Sequence, residues 1–212
     1  MGAADSVVFF DFDGTLVNTI EHYFFHYNEY ARQNNKPVIS SAKYQELRKN
    51  SLEEVRKKLG INLLKAIFLN KKLTQAVYQD VSAIRFVPGI IDIINEIHCK
   101  KIPVFIISSN SRDNIQQVLI ANKIKHIEKI IPTFRGFNKT YFLKKHLKRK
   151  AYQHAFLVSD EYSDIEVANN LGVISMAVKW GANDFDEKNN ITPNYIINDP
   201  KDIISAINQY IA

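Results

Sequence analysis

The stretch SVVFFDFDGTLVNT, Ser6 to Thr19, sets an apolar run against two aspartates. Val7, Val8, Phe9 and Phe10 are the β-branched and aromatic residues that fill a strand buried on both faces. The run ends in Asp11 and Asp13, one residue apart, so both carboxylates leave the strand on the same side. Like charges a few ångströms apart resist joint ionisation unless something positive lies near them. Gly14 and Thr15 then mark a turn. The stretch predicts a buried strand delivering two acids to a cation, whose other neighbours must come from later in the chain.

The bulk properties leave room for one good core with a small insertion. The chain has 212 residues, 46% of them apolar and 24% charged, as in an ordinary globular protein. No apolar run reaches the ~20 residues that span a membrane, and the start lacks a charged-then-apolar leader pattern. A single cysteine, Cys99, excludes an internal disulfide and fits a reducing compartment, so a cytoplasmic protein is expected. The opening MGAADS formally matches a myristoylation consensus, a short pattern common by chance. Net charge is +6, and the densest basic run is KKHLKRK, Lys144 to Lys150. That run reads as the solvated end of a helix. With no zinc-finger, aromatic RNA-binding or helix-turn-helix pattern beside it, a nucleic-acid partner is disfavoured.

Helical spacing follows the first strand. Ile20, Tyr23, Phe24, Tyr27 and Ala31 predict one helix. A second opens on the capping box Ser51/Glu54 and stops at Gly60. Residues 61–84 continue helical, with no glycine or proline until Pro88. From about 86 onward, short apolar strands alternate with helices. The strands are predicted at 103–107, near Ile130, at 155–158, 174–178 and 195–197. The expected fold class is α/β: a Rossmann-like parallel sheet with helices on both faces, formed by 1–17 and 86–212. An all-helical unit, 18–85, is inserted after its first strand.

Ligands of open parallel sheets sit beyond the carboxyl ends of the strands. Those ends here carry Asp11-Phe12-Asp13-Gly14-Thr15, then Ser108-Ser109-Asn110-Ser111, then Ser159-Asp160-Glu161-Tyr162-Ser163-Asp164, with Lys139 before a core helix. Asp11, Asp160 and Asp164 are candidate oxygen ligands for a hard divalent cation, and such a site suits Mg²⁺. Lys139 adds a second positive charge. A phosphoryl group can rest against the cation, the lysine and the N–H groups at the helix start after Ser109.

The stretches DFDGTLVNT, VFIISSNS, FNK and LVSDEYSDIEVANNLGV resemble the four ordered motifs of the haloacid dehalogenase superfamily. The helical insertion, RFVPGI, VKWG and the C-terminal PNYIINDPKDIISAI resemble its C1-capped, phosphoglycolate-phosphatase-like branch. The resemblance implies a Mg²⁺-dependent phosphatase acting on a small phosphorylated metabolite through an aspartyl-phosphate. In that scheme Asp11 is the nucleophile and Asp13 the acid and base. Lys139 offsets charge. Thr15, Ser109 and Asn110 bind the substrate phosphate, helped by amides of the Asp13–Thr15 turn. Asp11, Asp160 and the Asp13 carbonyl hold the metal, and Asp164 either binds it through water or orients Lys139.

Two positions depart from the pattern. Ser159 stands where glycine is usual, and Asn18 where many relatives carry aspartate. His22 and His26 are four apart, a spacing able to bind zinc, but no third ligand is evident. Arg48 or Lys49 is a candidate for meeting a substrate anion from the insertion. A phosphomutase or a non-catalytic phosphate-binding protein on the same scaffold are the competing readings. The specific phosphomonoester and the oligomeric state are not legible.

Overall fold

The computed structural model describes residues 6–133, 139–149, 152–185 and 191–211. The MGAAD start and Phe137-Asn138 of the FNK motif lie outside them. Six strands form one parallel sheet: β1 (Ser6–Phe10), β2 (Val104–Ser108), β3 (Lys129–Pro132), β4 (His154–Ser159), β5 (Ile174–Val178) and β6 (Tyr195–Ile197). Their order is β3-β2-β1-β4-β5-β6, so the chain winds outward from β1 in one direction, then restarts beside it in the other. The reversal falls between β1 and β4, where open sheets of this kind bind ligands.

Alternation along β1 explains why one short run needs no polar residue. Val8 and Phe10 join the core cluster containing Ile106, Phe156, Val158 and Met176. Val7 and Phe9 join the opposite cluster, with Ile107, Leu143, Leu157 and Ala168. The side chains of Val7, Val8, Phe9 and Phe10 are all fully buried. Each contributes about 1.5–3 kcal/mol by leaving water.

The helices of the first face are α5 (Ile90–Cys99), α6 (Arg112–Ala121) and α9 (Lys201–Asn208), and those of the second are α7 (Lys139–Arg149) and α8 (Tyr162–Asn170). On α5, Ile90, Ile93, Ile94 and Ile97 are buried, a single stripe at helical spacing, while Ile91 is left partly exposed.

Between β1 and α5 stand four helices and a 3-10 turn (Val81–Ala83): α1 (Ile20–Gln33), α2 (Ser41–Leu47), α3 (Leu52–Lys58) and α4 (Leu63–Val77). The Ser51/Glu54 capping box opens α3 as expected, with Glu54 Oε2 accepting from the Ser51 amide at 2.8 Å. α2 has no counterpart in the sequence reading, because only Leu47 of its seven residues is buried and no apolar stripe announces it. β2 lies one residue further along the chain than the expected 103–107, since Ser108 still pairs, opposite Pro132.

Candidate active site

The first carboxylate is placed by the sheet itself. The Asp11 amide donates to the Val158 carbonyl at 2.9 Å, extending the β1–β4 ladder past the last strand residue. Asp11 thereby lies beside the end of β4, where Asp160 follows. Asp11 Oδ1 accepts from the Phe12 amide at 2.7 Å, and Oδ2 pairs with Lys139 Nζ at 2.9 Å. Lys139 also pairs with Asp164, which accepts from the Ser159 hydroxyl. The serine in the usual glycine position thus holds Asp164, and Asp164 holds the lysine. Ser159 Oγ accepts in turn from the Glu161 amide at 3.3 Å.

Asp13 points elsewhere. Its Oδ1 accepts from Thr19 Oγ1 at 2.8 Å and from the Tyr78 hydroxyl at 2.6 Å, and its Oδ2 from Asn110 Nδ2 at 2.8 Å. Burial pushes the Asp13 carboxyl above the ordinary range, while those three donors and Lys139 pull the other way. Burial and the neighbouring Asp13 charge raise Tyr78, keeping it a protonated donor. Tyr78 and Thr19 escaped the sequence reading. Thr19 had only helix-start chemistry to mark it, and Tyr78 is 65 residues away with no local signal.

Asp160 sits in a cradle of backbone. Its Oδ1 accepts from Thr15 Oγ1 at 2.9 Å, and its Oδ2 from the Ala182 amide at 2.7 Å. A Cβ on Gly14 or on Gly181 would fall inside the Asp160 carboxylate, so both positions need a residue without one. Gly14 also has φ of +75°, a conformation glycine adopts without strain. Asn183, a third residue the sequence did not signal, closes the cradle from behind. Its amide donates to the Asp160 carbonyl at 3.1 Å, and its Oδ1 accepts from the Tyr162 amide at 2.9 Å. Its Nδ2 donates to the carbonyls of Arg48 at 3.1 Å and Asn50 at 2.9 Å, tying the α2–α3 connection to the core.

The expected phosphate contacts divide. Ser109 is exposed and lines a cavity of about 250 Å³ that also meets Asp13, Asn110 and Asp160. Asn110 faces that cavity while bonding Asp13. The Thr15 hydroxyl is committed to Asp160. The Gly14 and Thr15 amides donate within the turn, to Val17 O at 2.9 Å and Phe12 O at 3.3 Å, so two of the expected turn amides are already used. Arg48 does not reach the cavity. Its Nη2 donates to the Lys179 carbonyl at 2.9 Å.

Four carboxylates, Asp11, Asp160, Glu161 and Asp164, surround Lys139. Burial is the leading cause that pushes Asp11 well above the usual range, Asp160 up to about 6 and Glu161 up to about 7. Burial opposes the charge on Lys139 too, yet Asp11, Asp164 and Glu161 hold it above the ordinary lysine value. Negative charge exceeds positive, and the donors are all oxygen, which fits a hard divalent cation such as Mg²⁺. Among the described residues, no three His, Cys, Asp or Glu side chains gather into a ready-made metal cage. The geometry gives the reason: Asp13 turns to Thr19, Tyr78 and Asn110, and Asp164 turns to Lys139 and Ser159.

The switch point of this parallel α/β sheet thus carries Asp11 just past the end of β1, with Lys139 and Asp160 close by. The haloacid dehalogenase-like hydrolase family model matches residues 8–178. The chain belongs to that family and is a phosphatase-like enzyme of it. It is 26% identical to a phosphoglycolate phosphatase of Synechococcus elongatus, over 95% of this chain and 97% of that one. It is 23% identical to the pyrophosphatase PpaX of Oceanobacillus iheyensis, over 94% and 95%. Its fold is similar to a haloacid dehalogenase-like hydrolase of Streptococcus pneumoniae, with TM-score 0.76, 18% identity and coverage of 95% and 97%.

Proposed function

We propose that this enzyme is a Mg²⁺-dependent phosphatase hydrolysing a small phosphomonoester through an aspartyl-phosphate on Asp11. The observation that carries the proposal is the division of labour between the two acids of the first motif. Asp11 is ion-paired with Lys139 at 2.9 Å, and Asp13 is held by three donors at the cavity wall.

An Asp11 oxygen attacks phosphorus, forming one P–O bond as the bond to the leaving alcohol breaks. Asp13 gives its proton to that leaving oxygen. Water then attacks the phosphorus, Asp13 takes the proton back, and phosphate leaves with Asp11 regenerated. Burial favours the protonated form of Asp13 needed at the start. Lys139, oriented by Asp164, offsets charge on Asp11 and on the phosphoryl oxygens, and Ser109 is within the cavity to donate to them. Asp11, Asp160 and the Asp13 backbone carbonyl would hold Mg²⁺, which supplies electrostatic stabilisation of the transferring phosphoryl group.

In this reading residues 18–85 are a cap and the remainder is the core. The two crossings run side by side: the Asn18 amide donates to Arg85 O at 3.0 Å, and the Val87 amide to Leu16 O at 2.9 Å. Short paired crossings suit a cap that moves relative to the core to admit substrate. Among the described residues no helix is long and apolar enough to cross a membrane, and Cys99 is an exposed free thiol; a cytoplasmic setting is proposed on the thiol.

The test is phosphate release from p-nitrophenyl phosphate, with Mg²⁺ and with EDTA, for the native chain and Asp11→Asn. Turnover that needs Mg²⁺ and vanishes in Asp11→Asn is expected. A folded native chain that releases no phosphate with Mg²⁺, or an Asp11→Asn variant that retains turnover, overturns the proposal.

A further inference from the structure

The wall of the 250 Å³ cavity opposite the reacting groups decides what leaving group it accepts. The inserted helices supply Ile20, Tyr23, Leu52, Asn70 and Thr74 to it, and the core adds Glu161. The polar members are an amide and two hydroxyls, with Tyr23 and Thr74 oxygens 3.2 Å apart. The one charged group beyond the catalytic aspartates is a carboxylate. Among the described residues that line the cavity, none is a lysine, arginine or histidine.

Five basic residues of the insertion are engaged elsewhere. Arg48 bonds the Lys179 carbonyl at 2.9 Å, and Arg56 the Ile61 carbonyl at 2.8 Å. Lys43 pairs with Glu46 at 2.8 Å, Lys57 with Glu53 at 2.8 Å, and Lys58 with Asn50 at 2.7 Å. Leu52, at the first turn of α3, is 59% exposed and occupies the cavity edge with an apolar side chain. A substrate carboxylate or second phosphate would therefore meet no cation among the described lining residues, only the Tyr23 and Thr74 hydroxyls, the Asn70 amide and the acidic Glu161.

We infer that the substrate is the phosphate ester of a small uncharged, hydroxyl-bearing alcohol, with no second anion on the leaving group. This rests on the phosphatase reading above and narrows it. Asn70, Thr74 and Glu161 are hydrogen-bonding partners for hydroxyls, and the volume suits a leaving group of a few carbon atoms. It also separates this chain from the substrate named in its Synechococcus relative.

The experiment compares kcat/KM for matched esters that differ by CH2OH against carboxylate: 2-hydroxyethyl phosphate with 2-phosphoglycolate, and glycerol 1-phosphate with 3-phosphoglycerate. The full chain is used with Mg²⁺, and p-nitrophenyl phosphate is the reference substrate. The hydroxyl member of each pair is expected to win by about tenfold or more, the factor for ~1.4 kcal/mol of discrimination. Leu52→Arg places a cation at the cavity edge and is expected to shift the ratio several-fold toward the carboxylates, through KM. Equal rates, or a preference for the carboxylates, with p-nitrophenyl phosphate still hydrolysed, overturn the inference and leave the phosphatase standing. A ratio unmoved by Leu52→Arg overturns the placement of Leu52 against the leaving group. No turnover of any ester, p-nitrophenyl phosphate included, overturns both.

Discussion

Replacing Asn183 by alanine should cost more than any surface substitution, because its side chain joins three segments at once. It is 4% exposed and makes three bonds: to Arg48 O at 3.1 Å, to Asn50 O at 2.9 Å and from the Tyr162 amide at 2.9 Å. Each such bond contributes a net ~0.5–1.5 kcal/mol, and the Tyr162 N–H would be left without its acceptor. The expected loss is about 2–4 kcal/mol. For a chain of this length that lowers Tm by roughly 5–15 °C. Thermal unfolding followed by circular dichroism reads it directly, in EDTA so that metal does not mask the change. Two of the three bonds hold the α2–α3 connection, so limited proteolysis should also cut the 34–51 region faster in the variant than in the native chain. A Tm within about 2 °C of native would refute the reasoning, since it lies below even two of these bonds at their weakest.

Tyr78→Phe removes one of three donors to Asp13, a donor that lowers the Asp13 pKa. The pH–rate profile for kcat/KM should move to higher pH at its Asp13 limb, with a fall in rate of about tenfold; an unmoved limb counts against Tyr78 tuning Asp13. Gly181→Ala would drive a methyl into the Asp160 carboxylate, so Mg²⁺ affinity by calorimetric titration should fall about 10–100-fold. Unchanged affinity would remove Asp160 from the metal site.

The metal-free enzyme should lose stability between pH 5 and pH 8. Asp160 rises from the usual 3.8 to about 6 and Glu161 from 4.5 to about 7 on folding. The folded state therefore binds more protons than the unfolded state across that window. The stability from these two groups is complete below about pH 4 and is lost as pH rises through 6 to 7. Mg²⁺ should restore stability most at the alkaline end, because there the carboxylates are charged. Urea midpoints that stay flat or rise from pH 5 to pH 8 in EDTA would contradict this.

Local pattern carried the elements whose periodicity is set by their own burial. The run Val7–Phe10 and the isoleucines of α5 could be placed because side-chain spacing follows strand and helix geometry directly. The strand ends were legible for the same reason: a polar cluster after each apolar run marks where the chain leaves the core. α2 was not legible, since it buries one side chain and has nothing periodic to display. Charge alone makes Arg48 or Lys49 a candidate for meeting a substrate anion, yet tertiary packing turns the Arg48 guanidinium onto a backbone carbonyl of the core.

By itself the sequence determined the parallel sheet, the insertion after β1 and the acids and lysine that meet at the strand ends. Those are properties of hydrophobic period and of residue order. Only the tertiary structure decided which carboxylate faces which partner. Asp164 rests on Lys139, Asp13 rests on Tyr78 from the far end of the insertion, and Asp160 fills a gap left by Gly14 and Gly181. Orientation at these positions depends on groups tens to more than a hundred residues away, brought together by closure of the sheet. The same closure gathers Tyr23, Asn70, Thr74 and Glu161 around one cavity, which no local stretch of chain encodes.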